Sequence, residues 1–165
     1  MQLRVGILNG IPALKNKQKG NSMNTEQRKQ QMQDILRNTV DYYRVDPQGR
    51  RSVTEDGDCM YTWGDNHCAI GRYMKPEFKT EEFEMNEGVG VNGLGGDIDE
   101  FLIKKVHGIK LLFWRDLQEI HDIVGHWEEW HEHGDGVRKY GLTDRGKEEY
   151  VGMQDKIIRG EYDND

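Results

Sequence analysis

Apolar residues recur at helical spacing in four stretches of the chain and predict four helices. The first is predicted over about residues 25–44 with Thr25 as its N-cap, and the second follows Asp97. The third has the strongest pattern and is predicted over 111–133, while the last begins behind Thr143. The predicted inward positions are, in helix order, Met32, Ile35, Leu36, Val40 and Tyr43; Ile98, Phe101, Leu102 and Val106; Phe113, Trp114, Leu117, Ile120, His121, Val124, Trp127 and His131; and Tyr150, Met153 and Ile157.

Between the first two helices, "CMYTWGDNHCAI" (residues 59–70) has strand-forming residues on both sides of a Gly-Asp-Asn turn and predicts a β-hairpin. With Asp65 and Asn66 as a two-residue turn, Trp63 lies opposite Cys68. Because side chains alternate between the faces of a strand, a single face collects most of the apolar residues. The residues predicted on this core face are Cys59, Tyr61, Trp63, Cys68 and Ile70.

The predicted fold class is α+β and mainly helical. It has four helices and a small antiparallel hairpin or three-stranded sheet, which packs on the 111–133 helix. The hairpin and this helix are expected to share an aromatic core of Tyr61, Trp63, Trp114 and Trp127.

Charge divides the chain into a basic beginning and an acidic remainder. The net charge is −7, and residues 1–23 hold four basic residues and no acidic one, so the rest of the chain carries −11. We therefore predict a basic N-terminal leader or linker over 1–23, a single globular domain over 24–160 and an acidic tail over 161–165.

The acidic body limits the partners that this protein can bind. It repels the phosphates of nucleic acids, so direct nucleic-acid binding is not expected. A protein with a basic surface, or a small-molecule ligand, is the expected partner. No apolar run approaches the roughly eighteen residues of a membrane span, and the lysines of the N-terminal segment follow its apolar run, which is not the order of a secretory signal. With only two cysteines, the chain is predicted to be cytoplasmic.

The two cysteines allow three interpretations, namely half of a zinc site, a redox pair, or buried structural thiols. In the predicted register Cys59 lies opposite Arg72, too far from Cys68 for the roughly 7 Å that a disulfide allows between Cα atoms. His67 points to the opposite face from Cys68, which argues against a zinc site made of these three residues. Buried thiols are favoured, and metal or redox chemistry stays open.

The stretch "HDIVGHWEEWHEH" (residues 121–133) holds four of the six histidines. On the predicted 111–133 helix, Asp122, His126, Glu129 and His133 form a stripe at i, i+4, i+7 and i+11, which could hold zinc. The favoured alternative is a solvated face with histidines near the helix C-terminus. His121 lies on the apolar side and is predicted to be a hydrogen-bonded core histidine. No cofactor is expected other than this candidate zinc.

The glycine-rich segment after residue 87 has a different candidate role. Gly88, Gly90 and Gly93 match the spacing of a dinucleotide-binding loop, but no buried strand precedes them. Acidic residues, including Asp97 and Asp99, occupy the predicted helix start that follows, where they would repel a phosphate. A flexible loop is therefore predicted, and this loop and these two aspartates are candidate partner contacts.

Two aromatic residues complete the predicted binding surface. Trp130 lies off the inward face among acidic residues, and Tyr140 follows the "HGDG" break. An exposed tryptophan of this kind suits a hot spot that docks on a basic partner. Under this hypothesis the Trp130→Ala variant keeps its melting temperature and loses more than about tenfold in partner affinity. The alternative is that Trp130 packs as ordinary core.

Three stretches carry a resemblance to a known family: "GDCMYTWGDNHCAIGRYM", "FWRDLQEIHDIVGHW" and "GLTDRGKEEY". Over about residues 25–158 the chain resembles a family of small, functionally unassigned proteins of tailed bacteriophages and some bacteria. The resemblance brings no catalytic residues. Together with the acidic body and the lack of a coherent catalytic set, it predicts a small cytosolic accessory protein that acts by stoichiometric binding to a host protein or small ligand, in host takeover or in inhibition of host defence. The alternative function is a metal-dependent hydrolase that uses the His/acid stripe.

Overall fold

The computed structural model describes residues 23–56, 58–80, 83, 97–130 and 139–163, and these form an α+β fold that is mainly helical. The described residues contain three α-helices, which we name α1 (Thr25–Tyr43), α2 (Leu111–Asp122) and α3 (Asp144–Arg159). They also contain two antiparallel two-stranded sheets. Strand β1 (Thr62–Trp63) pairs with β2 (Asn66–His67), and β3 (Trp127–Trp130) pairs with β4 (Lys139–Leu142).

The first predicted helix is confirmed as α1, but its N-cap is Asn24 and not Thr25. The Asn24 side chain accepts a hydrogen bond from the Gln27 amide at 2.8 Å, and the Gln27 side chain accepts one from the Asn24 amide at 3.0 Å. This reciprocal capping box satisfies two amides that a helix start leaves without partners. The predicted inward face is buried except for Val40, which is half-buried.

The prediction of a helix over 111–133 is wrong, because α2 ends at Asp122 and a strand follows it. Ile123 adopts extended angles, and the β-branched pair of Ile123 and Val124 before Gly125 has low helix propensity. The Thr143 amide also donates to the His126 carbonyl at 2.9 Å, which ties this segment to the end of β4. The inward face predicted for residues 113–121 is confirmed by burial.

The prediction of a short α-helix after Asp97 is also wrong. It is replaced by two 3-10 turns, Ile98–Glu100 and Lys104–Val106. The Asp97 side chain accepts a hydrogen bond from the Asp99 amide at 3.0 Å, which favours a tight turn at this position. Ile98, Leu102 and Val106 are nevertheless buried, as the sequence predicts.

The predicted hairpin exists, but its turn is one residue earlier than expected. Gly64 adopts φ +57, a left-handed conformation that glycine tolerates, and Gly64 and Asp65 form the turn. Trp63 therefore pairs with Asn66 and not with Cys68, and it is 37% exposed. The predicted core face is confirmed for Tyr61, Cys68 and Ile70 and is wrong for Trp63 and Cys59, which are exposed.

Helix α3 closes the core against α1 and α2. Thr143 caps it as predicted, and its hydroxyl accepts a hydrogen bond from the Gly146 amide at 3.2 Å. Beyond the helix, Tyr162 is buried and donates to the Asp116 carboxylate at 2.9 Å, so the packed part of the chain reaches into the segment predicted as an acidic tail. Trp127, from the predicted aromatic core, packs half-buried at its edge.

None of the helices in the described ranges has both the length and the apolar character that a membrane-spanning helix requires.

Candidate functional site

The end of α2 brings together a thiol, an imidazole and a carboxylate. Their donor atoms, on Cys59, His121 and Asp122, all lie within 4.8 Å of one another. The Cys59 thiol donates to Asp122 Oδ1 at 3.1 Å, and His121 Nδ1 lies 2.7 Å from the same oxygen. His121 is buried, as the sequence predicts, whereas Cys59 is exposed and opens the cluster to solvent.

The amide nitrogen of Gln118 lies at the centre of this cluster. It is 2.9 Å from each oxygen of Asp122, 3.2 Å from the Cys59 sulfur and 3.5 Å from His121 Nδ1. An amide group has two hydrogens, so it cannot donate to all four of these atoms at once. Its own oxygen, Gln118 Oε1, is buried without a hydrogen-bond partner, so this orientation of the amide is set by the acceptors around the nitrogen.

The second cysteine lies beside the first. A hydrogen-bonding interaction with the Cys68 thiol is the largest cause that raises the pKa of the Cys59 thiol far above its usual range, ahead of the desolvation of its sulfur, although the residue as a whole is exposed. Both cysteines are free thiols, and Cys68 is buried with the Gly71 amide donating to its sulfur at 3.3 Å. The prediction that the register separates these two cysteines is wrong, because Cys59 pairs with Val53 in an isolated bridge and does not face Arg72.

The Asp122 carboxylate is held in its charged form. Burial alone would raise its pKa, but hydrogen bonds from His121, Gln118 and Cys59 and the charge of His121 together hold the pKa below its usual value. A charged carboxylate beside an imidazole and a thiol is a donor set for a cation. Among the described residues this is the only group of three or more such side chains.

The His/acid stripe predicted on one long helix does not form, because α2 ends at Asp122. His126 is fully buried in a 3-10 turn, and both of its ring nitrogens lack a hydrogen-bond partner. Glu129 falls on β3, and His133 lies outside the described residues. The hydrolase alternative loses the helix on which it depended, and only Asp122 of the predicted ligands belongs to the observed cluster.

The predicted partner contacts fall in different places. Tyr140 lies on β4 and lines a cleft of about 450 Å³ with Val40, Trp127 and Lys147. Trp130 ends β3 and pairs with Lys139 of β4. Gly88 and Gly90 lie outside the described residues.

Asp97 and Asp99 have local structural roles. Asp97 caps a 3-10 turn, and both carboxylate oxygens of Asp99 accept from the Gly108 amide, at 3.0 and 2.7 Å. Because Gly108 has φ +81, Asp99 stabilises a turn that a side chain at residue 108 would strain.

Sequence reasoning missed the cluster because Cys59 comes from a loop far from α2 along the chain. The available signal was local: Gln118, His121 and Asp122 lie within one turn of the helix and form the "DLQEIHD" motif. Residues three and four apart share a helix face, so this spacing places Gln118 beside His121 and Asp122.

Helix α3 carries an exposed stripe on the side away from the core. Its members are spaced by four, three, four and three residues and therefore share one face of the helix. Within this stripe Val151 is 51% exposed and Ile158 is 61% exposed, although both are aliphatic. We call this surface the α3 stripe; its residues are Asp144, Glu148, Val151, Asp155 and Ile158.

His67, at the end of β2, lies near two cations. Burial, and behind it the charges of Lys79 and Arg72, lowers the pKa of its imidazole. Below the ordinary histidine pKa of about 6.5, the imidazole is protonated in the unfolded chain but still largely neutral in the folded chain. Lowering the pH therefore lowers the free energy of unfolding. We expect the melting temperature of the parent to fall between about pH 7.5 and pH 5.5, and that of the His67→Gln variant to fall less. Equal pH slopes in calorimetry would contradict this expectation.

In comparisons with known proteins, no family model, no curated protein and no solved structure matches this chain. The fold and the cluster define it as an α+β protein with a thiol, imidazole and carboxylate site. The resemblance to the phage family stays a prediction.

Proposed function

We propose that this chain is a small accessory protein that acts by stoichiometric binding to a protein with a basic surface. The observation that carries the proposal is the α3 stripe, where two exposed aliphatic residues share one helix face with three carboxylates. Isolated exposed aliphatic residues need no explanation, but a pair that shares one helix face with three like charges favours an interaction surface.

The chemistry of the stripe selects a class of partner. Glu148 and Asp155 attract Lys and Arg side chains at the edge of an interface, which speeds association. Asp144 already has a cation beside it, because the Lys147 ammonium group lies 3.2 Å from its Oδ1. Val151 and Ile158 supply apolar area that a partner would cover, which slows dissociation. The −11 charge outside residues 1–23 supports the same preference for a basic partner.

The motif resemblance supports a place among phage-type accessory proteins, with host takeover or inhibition of host defence as the biological role. Both cysteines are free thiols, which supports action in a reducing compartment such as the bacterial cytoplasm. Tyr140 and Trp130 stay candidate contacts on the β3–β4 sheet, and a small-molecule ligand stays an alternative partner.

The proposal predicts that the Val151→Ser, Ile158→Ser double variant keeps its fold and loses partner affinity. Both side chains are more than half exposed, so we expect the melting temperature to change little. The parent is used to capture proteins from a bacterial lysate, the captured protein is purified, and its binding is measured by calorimetry. We expect a 1:1 complex with the parent and a Kd at least tenfold higher for the double variant, about 1.4 kcal/mol.

The matched control is Val45→Ser, because Val45 is 55% exposed and lies outside the α3 stripe. This variant should bind the purified partner as tightly as the parent does. Reversing the charge of Glu148 to Lys should slow association, and raising the salt concentration should reduce that difference. A purified partner that binds the double variant as tightly as the parent would contradict the proposal, as would the failure of any captured protein to form a 1:1 complex.

A further inference from the structure

We propose that Cys59, His121 and Asp122 bind one zinc ion at the end of α2. A thiolate sulfur, an imidazole nitrogen and a carboxylate oxygen are the three ligand types that zinc takes in proteins. Their donor atoms already lie within 4.8 Å of one another. This inference goes beyond the proposed binding function, since it concerns a different surface of the molecule.

The two ligand separations that involve Asp122 need only a small change to accept the ion. With zinc bonds of about 2.0–2.3 Å, two ligand atoms of a tetrahedral site lie about 3.3–3.6 Å apart. The observed separations from Asp122 Oδ1 are 3.1 Å to the Cys59 sulfur and 2.7 Å to His121 Nδ1, as expected for atoms that now share protons. Zinc would replace these shared protons and move each pair apart by roughly half an ångström.

The Gln118 amide nitrogen marks the position of the cation. It lies 2.9–3.5 Å from both Asp122 oxygens, the Cys59 sulfur and His121 Nδ1, and so close to a ligand atom of each of the three residues. Gln118 is half-buried, so its side chain can turn towards solvent and leave this position. In doing so its buried oxygen, which has no partner, would gain water.

The donor set selects zinc over the hard cations. Mg²⁺ and Ca²⁺ prefer six or more oxygen ligands, whereas the cluster offers one sulfur, one nitrogen and one carboxylate. Three protein ligands leave a fourth tetrahedral position for water or an external ligand, and the exposed Cys59 places that position towards solvent. Binding releases the Cys59 thiol proton to solvent, so the ligand is the thiolate.

The test is a zinc titration of the reduced, chelator-treated protein in competition with a chromophoric chelator. We expect one equivalent to bind, and cobalt in its place should give a thiolate-to-metal charge-transfer band. The Cys59→Ala and Asp122→Asn variants should each weaken zinc binding at least about tenfold, and Cys59→Ala should also abolish the band. Both residues lie at the surface end of the cluster, so these variants are expected to fold.

Two further variants separate a metal site from a cluster of hydrogen bonds. Gln118→Ala removes the group that occupies the cation position, so zinc should bind severalfold more tightly, although the metal-free protein loses hydrogen bonds. The matched control Cys68→Ala should keep the cobalt band, because Cys68 lies outside the group of three ligands, and any loss of affinity through its contact with Cys59 should be much smaller than the loss in Cys59→Ala. Asp58→Asn, a change in an exposed carboxylate close to Cys59 in the chain, should also have no effect.

Three results would overturn the proposal. The first is an affinity that neither Cys59→Ala nor Asp122→Asn reduces. The second is a loss in Cys68→Ala as large as the loss in Cys59→Ala. The third is a reduced protein that binds no zinc but forms a Cys59–Cys68 disulfide in a glutathione buffer, which would identify the thiols as a redox pair. None of these results bears on the α3 stripe, so the proposed function is tested separately.

Discussion

Replacing Trp114 by alanine is expected to lower the free energy of unfolding by about 3–5 kcal/mol, the usual cost of removing a large buried aromatic side chain. Trp114 is fully buried at the start of α2 and contacts the rings of Phe113 and Tyr73, with centroids at 5.5 and 5.4 Å. Its indole nitrogen donates to the Ile109 carbonyl at 3.3 Å, and that acceptor would lose its partner. Urea denaturation followed by circular dichroism measures the loss.

Trp63 provides the matched control, because it is a tryptophan that is 37% exposed at the tip of the first hairpin. The Trp63→Ala variant should lose less than about 1 kcal/mol, since little of the buried area depends on it. Equal losses in the two variants would show that the inward face of α2 is not the centre of the core.

The second large effect is expected at Gly71, which lies in the "CAIGR" motif and begins a 3-10 turn. A Cβ atom on this residue would stand 1.9 Å from the Tyr61 carbonyl oxygen and 2.8 Å from its carbon. The same oxygen accepts a hydrogen bond from the Cys68 amide at 3.0 Å, so the backbone cannot move away freely. We expect Gly71→Ala to cost about 3 kcal/mol or more, at the upper end of overpacking effects.

Gly152 is the control for this substitution. It lies inside α3, and a Cβ atom there would have no heavy atom within 4 Å. The Gly152→Ala variant should gain about 0.5–1 kcal/mol, because alanine is the better helix former. If Gly71→Ala melted at the parent temperature, the close approach of residue 71 to Tyr61 would be disproved.

The elements that the sequence predicts well are those whose signals are local. Helix α1 and the Thr143 cap of α3 follow from periodicity and capping chemistry, both of which act within a few residues. The end of α2 was missed because the apolar spacing of Val124 and Trp127 continues that of the helix. What ends the helix is pairing with β4, a segment more than a dozen residues later, and periodicity carries no information about such a partner.

The candidate site also has one part that the sequence predicts and one part that it does not. His121 was predicted as a hydrogen-bonded core histidine because its position on α2 is a local property. The contact of Cys59 with Asp122 depends on the path of the loop between Val53 and Cys59, which no residue spacing specifies. The predicted hairpin register is wrong for a local reason, because Gly64 adopts a left-handed conformation and the turn lies one residue earlier.

The packing of the first helix against the last one has a consequence for synthesis on the ribosome. Helix α1 contacts α3, and the Lys29 ammonium group donates to the Ile158 carbonyl at 2.9 Å. A nascent chain whose α3 is still inside the ribosome therefore lacks one of the helices that pack on the apolar face of α1. Contacts so distant in sequence form late, so we expect the fold to be completed only after α3 has emerged from the ribosome. Until then, this face of α1 is available to chaperones.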